Sequence, residues 1–197
     1  MYPVKPGLLV GFHGCEQAIR DDVISGKRLL HPSKNRHDWL GSGTYFWENN
    51  YARAMDFATN PPGKKKIESP SVLGAVIELQ FCLDLLDSAY LELVKFSYRS
   101  LSRSAETIGQ ELPNNKAVNN SKDLLIRELD CAVIENLHRK RIGGGLKPFD
   151  SVRGVFIEGQ ELYPGAGFHD KNHIQICIRN PNCIKGFFLP RDEVKWN

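Results

Sequence analysis

The sequence predicts an α+β fold, and three observations carry that expectation. Apolar residues recur at helical spacing ahead of residue 145, the chain from Val152 onward is strand-like segments parted by Gly/Pro loops, and there is no internal repeat. With 197 residues the chain is long enough to bury a sizeable core without disulfides or metals, and one domain over residues 1–197 is expected. A composition of 41% hydrophobic and 25% charged residues is ordinary globular usage, which argues against a disordered, collagen-like or coiled-coil chain. No apolar run approaches the roughly 20 residues of a membrane-spanning helix. The best, Val72 to Phe81, is interrupted by Glu78 and Gln80. The first twelve residues do not resemble a secretory signal, so a cytoplasmic location is expected.

In chain order, Leu8 to Phe12 is a short apolar run that predicts a buried strand ending in a polar turn at His13-Gly14. A helix over residues 16–25 follows, with Ala18, Ile19 and Val23 on one face and Gly26 as its stop. Lys27 to Gly43 is polar, basic and loop-like. The aromatic run Tyr45-Phe46-Trp47 suits a strand, and from Asn49 or Asn50 to about Ala58 a second helix repeats Tyr51, Ala54, Met55 and Ala58. Lys64 to Lys66 marks a solvated loop, and Val72 to Phe81 is expected to be one largely buried strand. Leu83 to about Leu101 suits a helix. Another is expected from Asn120-Ser121 through Lys122 to Arg141, where Leu124, Leu125, Leu129, Ala132 and Leu137 form a stripe that Gly143-Gly144-Gly145 terminates. Val152 to Glu158, His173 to Arg179 and Ile184 to Leu189 complete the strands.

Five scattered cysteines, at 15, 82, 131, 177 and 183, contain no C-x-x-C pair and no histidine spaced to finish a zinc site, so reduced thiols and no metal are expected. Cys131 and Cys177 lie inside apolar patterns and are expected to be buried. Cys15 beside His13 lacks a legible activating partner.

Three segments place polar groups at the ends or edges of apolar strands: Phe12-His13-Gly14, Gly41-Ser42-Gly43-Thr44-Tyr45-Phe46-Trp47-Glu48, and His173-Ile174-Gln175-Ile176-Cys177-Ile178. They are joined by Phe149-Asp150-Ser151-Val152-Arg153-Gly154, by Tyr163-Pro164-Gly165 and by Cys183-Ile184-Lys185-Gly186. In this order they resemble the ADP-ribosyltransferase superfamily, in the branch of diphtheria toxin and the poly(ADP-ribose) polymerases, with its His-Tyr-Glu triad. The resemblance spans most of the chain but not residues 83–145. It implies a split β-sheet around an NAD cleft with flanking and inserted helices, NAD as co-substrate, and the triad positions at His13, Tyr45 and Gln175.

Gln175 departs from the family's acid. An amide donates and accepts hydrogen bonds but takes no proton near neutral pH, so the resemblance implies single ADP-ribose transfer and no chain elongation. Glu48 is the first candidate for a substitute proton acceptor, and helix-dipole stabilisation ahead of the Asn49 helix explains it equally well. Asp38, Glu158 and Glu161 stand behind it. Cleavage of the nicotinamide–ribose bond passes through an oxocarbenium-like state, which calls for grip and orientation more than for reactive groups. His13 would bond a ribose hydroxyl, the Gly14 backbone the carboxamide, Tyr45 would stack on nicotinamide, and Gln175 would hold its ribose. Ser42, which a solvated turn explains as well, and Gly43 would be further contacts to NAD.

No G-x-G-x-x-G follows a strand and opens a helix, and no P-loop, G-x-S-x-G or H-E-x-x-H occurs, which disfavours a dehydrogenase and other common enzyme classes. The acceptor would be a protein or a nucleic acid, RNA or DNA, met by the loop 158–172 through Tyr163, Phe168 and His169. Basic clusters at Lys27-Arg28 with Lys34 and Arg36, at Lys64 to Lys66, and at His138 to Arg141 with Lys147 could follow phosphates, although a net charge of +3 does not require it. Some members of the superfamily are toxins or phage-defence effectors, which would bring an antitoxin as partner. The competing expectations are a catalytically silent module that binds NAD, ADP-ribose or a protein, and a nucleic-acid binder without chemistry.

Overall fold

The computed structural model describes residues 7–61, 66–118 and 123–191. Strands β1 (Leu9–Glu16) and β2 (Thr44–Glu48) are followed by helices α1 (Gln17–Ile24) and α2 (Tyr51–Thr59), respectively. Then come β3 (Pro70–Ile77), β4 (Cys82–Asp84), α3 (Ser88–Thr107), a two-strand pair β5 (Asn115–Lys116) and β6 (Ile126–Arg127), α4 (Glu128–Gly143), β7 (Ser151–Phe156), β8 (His173–Ile178) and β9 (Ile184–Phe188). The expected α+β class is present: a seven-stranded sheet in the order β4-β7-β8-β2-β1-β3-β9, parallel only between β4 and β7.

This order forces the sheet to curl. β3 and β4 are consecutive in the chain but five positions apart in the sheet, about 24 Å at the ordinary strand spacing. The chain from Ile77 to Cys82 can reach at most about 18 Å. The edges therefore approach one another. Their closure is visible in Ser151 Oγ of β7 donating to the carbonyl of Leu79, just past β3, at 2.7 Å. Phe46, Ala75, Ile77, Leu79, Cys82, Ile176, Ile178 and Cys183 fill the inside of the curl. The outer face is covered by helices: Ala54 of α2 packs on Trp47 and Val72, while Ile134 and Leu137 of α4 join Leu40, Val152, Phe156 and Cys177.

Several boundaries differ from expectation. β1 does not stop at Phe12 but runs through His13 and Gly14 to Glu16, because β3 pairs with all eight of its residues, from Leu9↔Ile77 to Glu16↔Pro70. The expected strand to Phe81 ends at Ile77, since the chain must cross to the far edge; Gln80 at φ +52° turns it into β4. α3 starts at Ser88, capped by Asp87 accepting from Ala89 N–H at 2.8 Å, and extends past Leu101 to Thr107. α4 starts at Glu128, so Leu124 and Leu125 precede it; the Asn115 side chain caps it from afar by accepting from Leu129 N–H at 3.0 Å. The expected helix start at Asn120, Ser121 and Lys122 lies outside the described residues, as do Lys64 and Lys65. All five cysteines are buried, and burial pushes the Cys15, Cys131 and Cys183 thiols up to about 11 and Cys177 to about 12. No helix among the described residues is long and apolar enough to cross a membrane.

Candidate functional site

The two motif-bearing strands β1 and β2 are paired for only two residues, Gly11↔Glu48 and Phe12↔Trp47. Asn49 N–H donates to the Val10 carbonyl at 2.8 Å, so by alternation the backbone groups of Val10, Phe12 and Gly14 point toward β2. The next rung would run from Gly14 N–H to the Tyr45 carbonyl. It is not formed; His13 Nδ1 takes that carbonyl instead, at 2.8 Å. Because a carbonyl only accepts, Nδ1 carries the hydrogen and Nε2 keeps a lone pair, without a partner among the described residues. Burial lowers the His13 pKa, which holds this neutral form. Gly14 is thus left without its ladder partner on the β2 side. Its lack of a side chain serves packing: a Cβ there would lie 2.1 Å from the Ala54 carbonyl oxygen of α2.

Tyr45 and Gln175 share the outer face. β2 pairs with β8 through Tyr45↔Cys177 and Trp47↔Gln175, making Tyr45 and Gln175 diagonal neighbours, a relation that spans about 7–8 Å in an antiparallel pair. The Tyr45 hydroxyl donates to the Gly41 carbonyl at 2.6 Å and accepts from Leu40 N–H at 2.9 Å. Burial pushes its pKa up, so the phenol acts as a fixed ring and carries no charge. Gln175 is 9% exposed, yet its amide has no partner among the described residues. Opposite it on β7 stands Gly154, whose empty side is taken by Leu40. His13 alternates onto the inner face, its ring 5.8 Å from that of Phe46. The structure therefore brings Tyr45 and Gln175 together on one face and leaves the His13 ring on the other, tied to β2 only through the Tyr45 backbone carbonyl.

Glu48 is not with them. It alternates with Tyr45 and Trp47 onto the inner face, and its carboxylate holds Arg153 through two bonds of 2.5 and 2.9 Å, with Asp84 3.3 Å from the same guanidinium. The hydrogen bonds that Arg153 donates to Glu48 raise the Arg153 pKa, and both ions are largely buried. Glu48 is an ion-pair partner here. Asp38 accepts from Ser33 Oγ at 2.9 Å and Asn35 N–H at 2.8 Å, Glu158 pairs with Arg53 at 3.1 Å, and Glu161 accepts from Gly165 N–H at 2.9 Å. Burial raises the pKa of Asp38 and of Glu158. The backbone of Ser42 is held by Glu135 Oε1 at 2.7 Å and Arg179 at 3.0 Å, and that of Gly43 by a two-way bridge to Ser33 at 2.8 and 3.0 Å. A Cβ on Gly43 would sit 2.5 Å from Cys177 Sγ, so this glycine admits β8 to β2.

Sequence reasoning passed over the aromatic wall beside Gln175. His173 stacks on Phe156 and on Trp39, with centroids 5.6 and 6.2 Å apart, Trp39 and Phe156 meet at a tilt with centroids 4.6 Å apart, and Trp47 lies 6.4 Å from His173. Arg127 caps the wall 4.3 Å from the Trp39 ring. His173 Nδ1 donates to the Lys171 carbonyl at 2.8 Å, and burial lowers its pKa to about 4, so the ring is a neutral part of the wall. Its alternation with Gln175 and Cys177 on one strand was the available signal. In the loop before β8, Tyr163 and Phe168 are 58% and 63% exposed, whereas His169 Nδ1 is tied to the Gly159 carbonyl at 3.0 Å. Among the described residues no group of three or more His, Cys, Asp or Glu is placed to hold a metal ion.

No family model matches the chain, and no solved structure matches it. It is similar to an uncharacterized protein, MJ0359, of Methanocaldococcus jannaschii, 23% identical over 193 residues that cover 88% of this chain and 83% of that one.

Proposed function

We propose that this protein is a mono-ADP-ribosyltransferase that moves ADP-ribose from NAD to a macromolecular acceptor and releases nicotinamide, on a fold of the ADP-ribosyltransferase type whose cleft is the seam between β1 and β2. The observation that carries this reading is the missing rung: His13 occupies the Tyr45 carbonyl and leaves Gly14 N–H available beside Tyr45. A carboxamide needs such a donor, and the adjacent phenol ring supplies a stacking face worth on the order of 1 kcal/mol beyond burial. His13 Nε2 accepts from a ribose hydroxyl at the seam. The unpartnered Gln175 amide, close to Tyr45 on the same face, grips the nicotinamide ribose.

The reaction breaks the bond between ribose C1′ and nicotinamide, with the pair of electrons leaving on the ring nitrogen. It forms a bond from C1′ to the acceptor, whose proton passes to solvent. None of the side chains proposed to hold NAD needs to change charge, in keeping with a neutral His13, an un-ionised Tyr45 and an amide at position 175.

The test is nicotinamide release and label transfer from labelled NAD, with His13→Ala and Tyr45→Ala as losses and circular dichroism to confirm folding. No NAD binding at millimolar concentration by calorimetry overturns the reading. Appearance of NAD cleavage only in Gln175→Glu identifies the natural protein as a silent NAD-binding module, a reading favoured by the lack of a proton-accepting group at position 175.

A further inference from the structure

Tyr45 owes the orientation of its ring to a segment that the sheet does not hold. Leu40 to Ser42 lie outside every helix and strand, yet the Tyr45 hydroxyl is bound there twice, accepting from Leu40 N–H at 2.9 Å and donating to the Gly41 carbonyl at 2.6 Å. Ser42 stands between Gly41, at φ +80°, and Gly43, and glycine has the most backbone freedom to lose on ordering. Leu40 is buried in the core at one end of this segment, and Gly43 is bridged to Ser33 at the other. The middle is held by two side chains from elsewhere in the fold.

These are Glu135 of α4 and Arg179, which directly follows β8. Ser42 N–H donates to Glu135 Oε1 at 2.7 Å, the Ser42 carbonyl accepts from Arg179 Nη1 at 3.0 Å, and the guanidinium donates to the carboxylate at 2.5 and 3.2 Å, so the bonds close a ring around one residue of backbone. Two-pronged bonds between ions are stronger and geometrically stricter than neutral ones. A Cβ on Gly41 would lie 2.6 Å from Glu135 Oε1 and 3.1 Å from Arg179 Nη1, so the segment passes directly over the pair. Burial opposes charge on Glu135, but the hydrogen bonds from Arg179 and Ser42 outweigh it and hold the carboxyl below its ordinary range. Both partners are anchored in turn. Ile134, beside Glu135, is buried in the core, and Arg179 N–H donates to the Asp150 carbonyl at 2.9 Å. Glu135 lies in the stretch 83–145 that the family resemblance leaves uncovered, so the resemblance implies nothing about it.

We infer that Glu135 and Arg179 are positioning residues for NAD: by gripping both backbone groups of Ser42 they fix the Gly41 carbonyl, and through it the Tyr45 ring that stacks on nicotinamide. This rests on the transferase reading above. With the pair broken, the ring has to be ordered at the moment of binding. That cost falls on the bound ground state and the transition state alike, so it raises KM and leaves kcat unchanged.

The deciding experiment is a double-mutant cycle on the full chain, with NAD affinity read by calorimetry and KM and kcat by nicotinamide release. Tyr45→Phe keeps the ring and removes only its tether. Glu135→Ala and Tyr45→Phe should each raise the Kd and KM for NAD about tenfold, with kcat within about twofold of the wild type. The two together should lie within about twofold of either alone, because both cut the same connection. Glu135→Gln still accepts from Ser42 N–H and should weaken NAD binding only about threefold; it takes the place of Glu135→Ala in the cycle if circular dichroism shows the alanine variant unfolded. Losses that multiply in the double variant mean that Glu135 acts on the fold at large, and they overturn the inference, as does unchanged NAD affinity in Glu135→Ala. Absence of NAD binding by the wild type overturns the transferase reading, and the inference falls with it.

Discussion

Acid should unfold this protein through two buried histidines. His173 and His138 are held near pKa 4, against an ordinary 6.5, chiefly by burial and then by nearby arginines: Arg53 and Arg127 for His173, Arg179 and Arg141 for His138. In both cases the folded state binds the proton less well than the unfolded chain. Their neutral-form stability is therefore complete above the unfolded pKa and is lost as pH falls from about 6.5 toward 4. At pH 5 the linkage relation gives about 2 kcal/mol for each, or about 4 kcal/mol together, a large part of a typical total of about 5–15 kcal/mol. Below that, Glu135, Asp150 and Asp56, whose pKa values lie under the ordinary range, add to the loss, while Asp38 and Glu158, with raised values, oppose it. The assay is urea denaturation followed by circular dichroism at pH 7.5 and 5.0, on wild type and on His138→Gln, His173→Gln. The double variant should start less stable, because Gln fits neither site as well, but should lose about 4 kcal/mol less than wild type between the two pH values. An equal loss in both proteins would refute the reasoning.

Other outcomes follow from the same coordinates. Gly14→Ala, which drives a Cβ against the Ala54 carbonyl, should cost about 1–3 kcal/mol, visible as a lower melting temperature. Arg153→Met leaves Glu48 and Asp84 together without their shared cation and should cost about 3–5 kcal/mol in urea denaturation. Glu48→Gln retains a hydrogen-bond acceptor for Arg153, should cost less than Arg153→Met, and should leave nicotinamide release unchanged; a collapse of that release would restore Glu48 as the base. The five buried thiols should resist a disulfide reagent in the native protein at pH 7.5, with all five reacting once it is denatured.

Part of the site was legible because its signals are local. The order of His13-Gly14, Tyr45-Phe46 and the strand with Gln175 is a property of the chain, and alternation along β8 and β2 follows from pleating. The departures came from longer-range pairing. β1 continued past His13 because β3 supplied eight partners. Glu48, adjacent in sequence to the aromatic strand, was claimed by Arg153 across the sheet. α4 began late because Asn115, far upstream, capped it.

The sequence by itself determined the α+β class, the burial of Cys131 and Cys177 and the segments that carry polar groups, since composition, apolar period and turn residues act over a few neighbouring positions. Only the tertiary structure decided which face each of those groups occupies and whether it remains free. Curling the sheet so that β4 approaches β3, and parting β1 from β2 at His13, sets these outcomes through strand order and register, and a one-residue change in pairing exchanges the two faces of a strand.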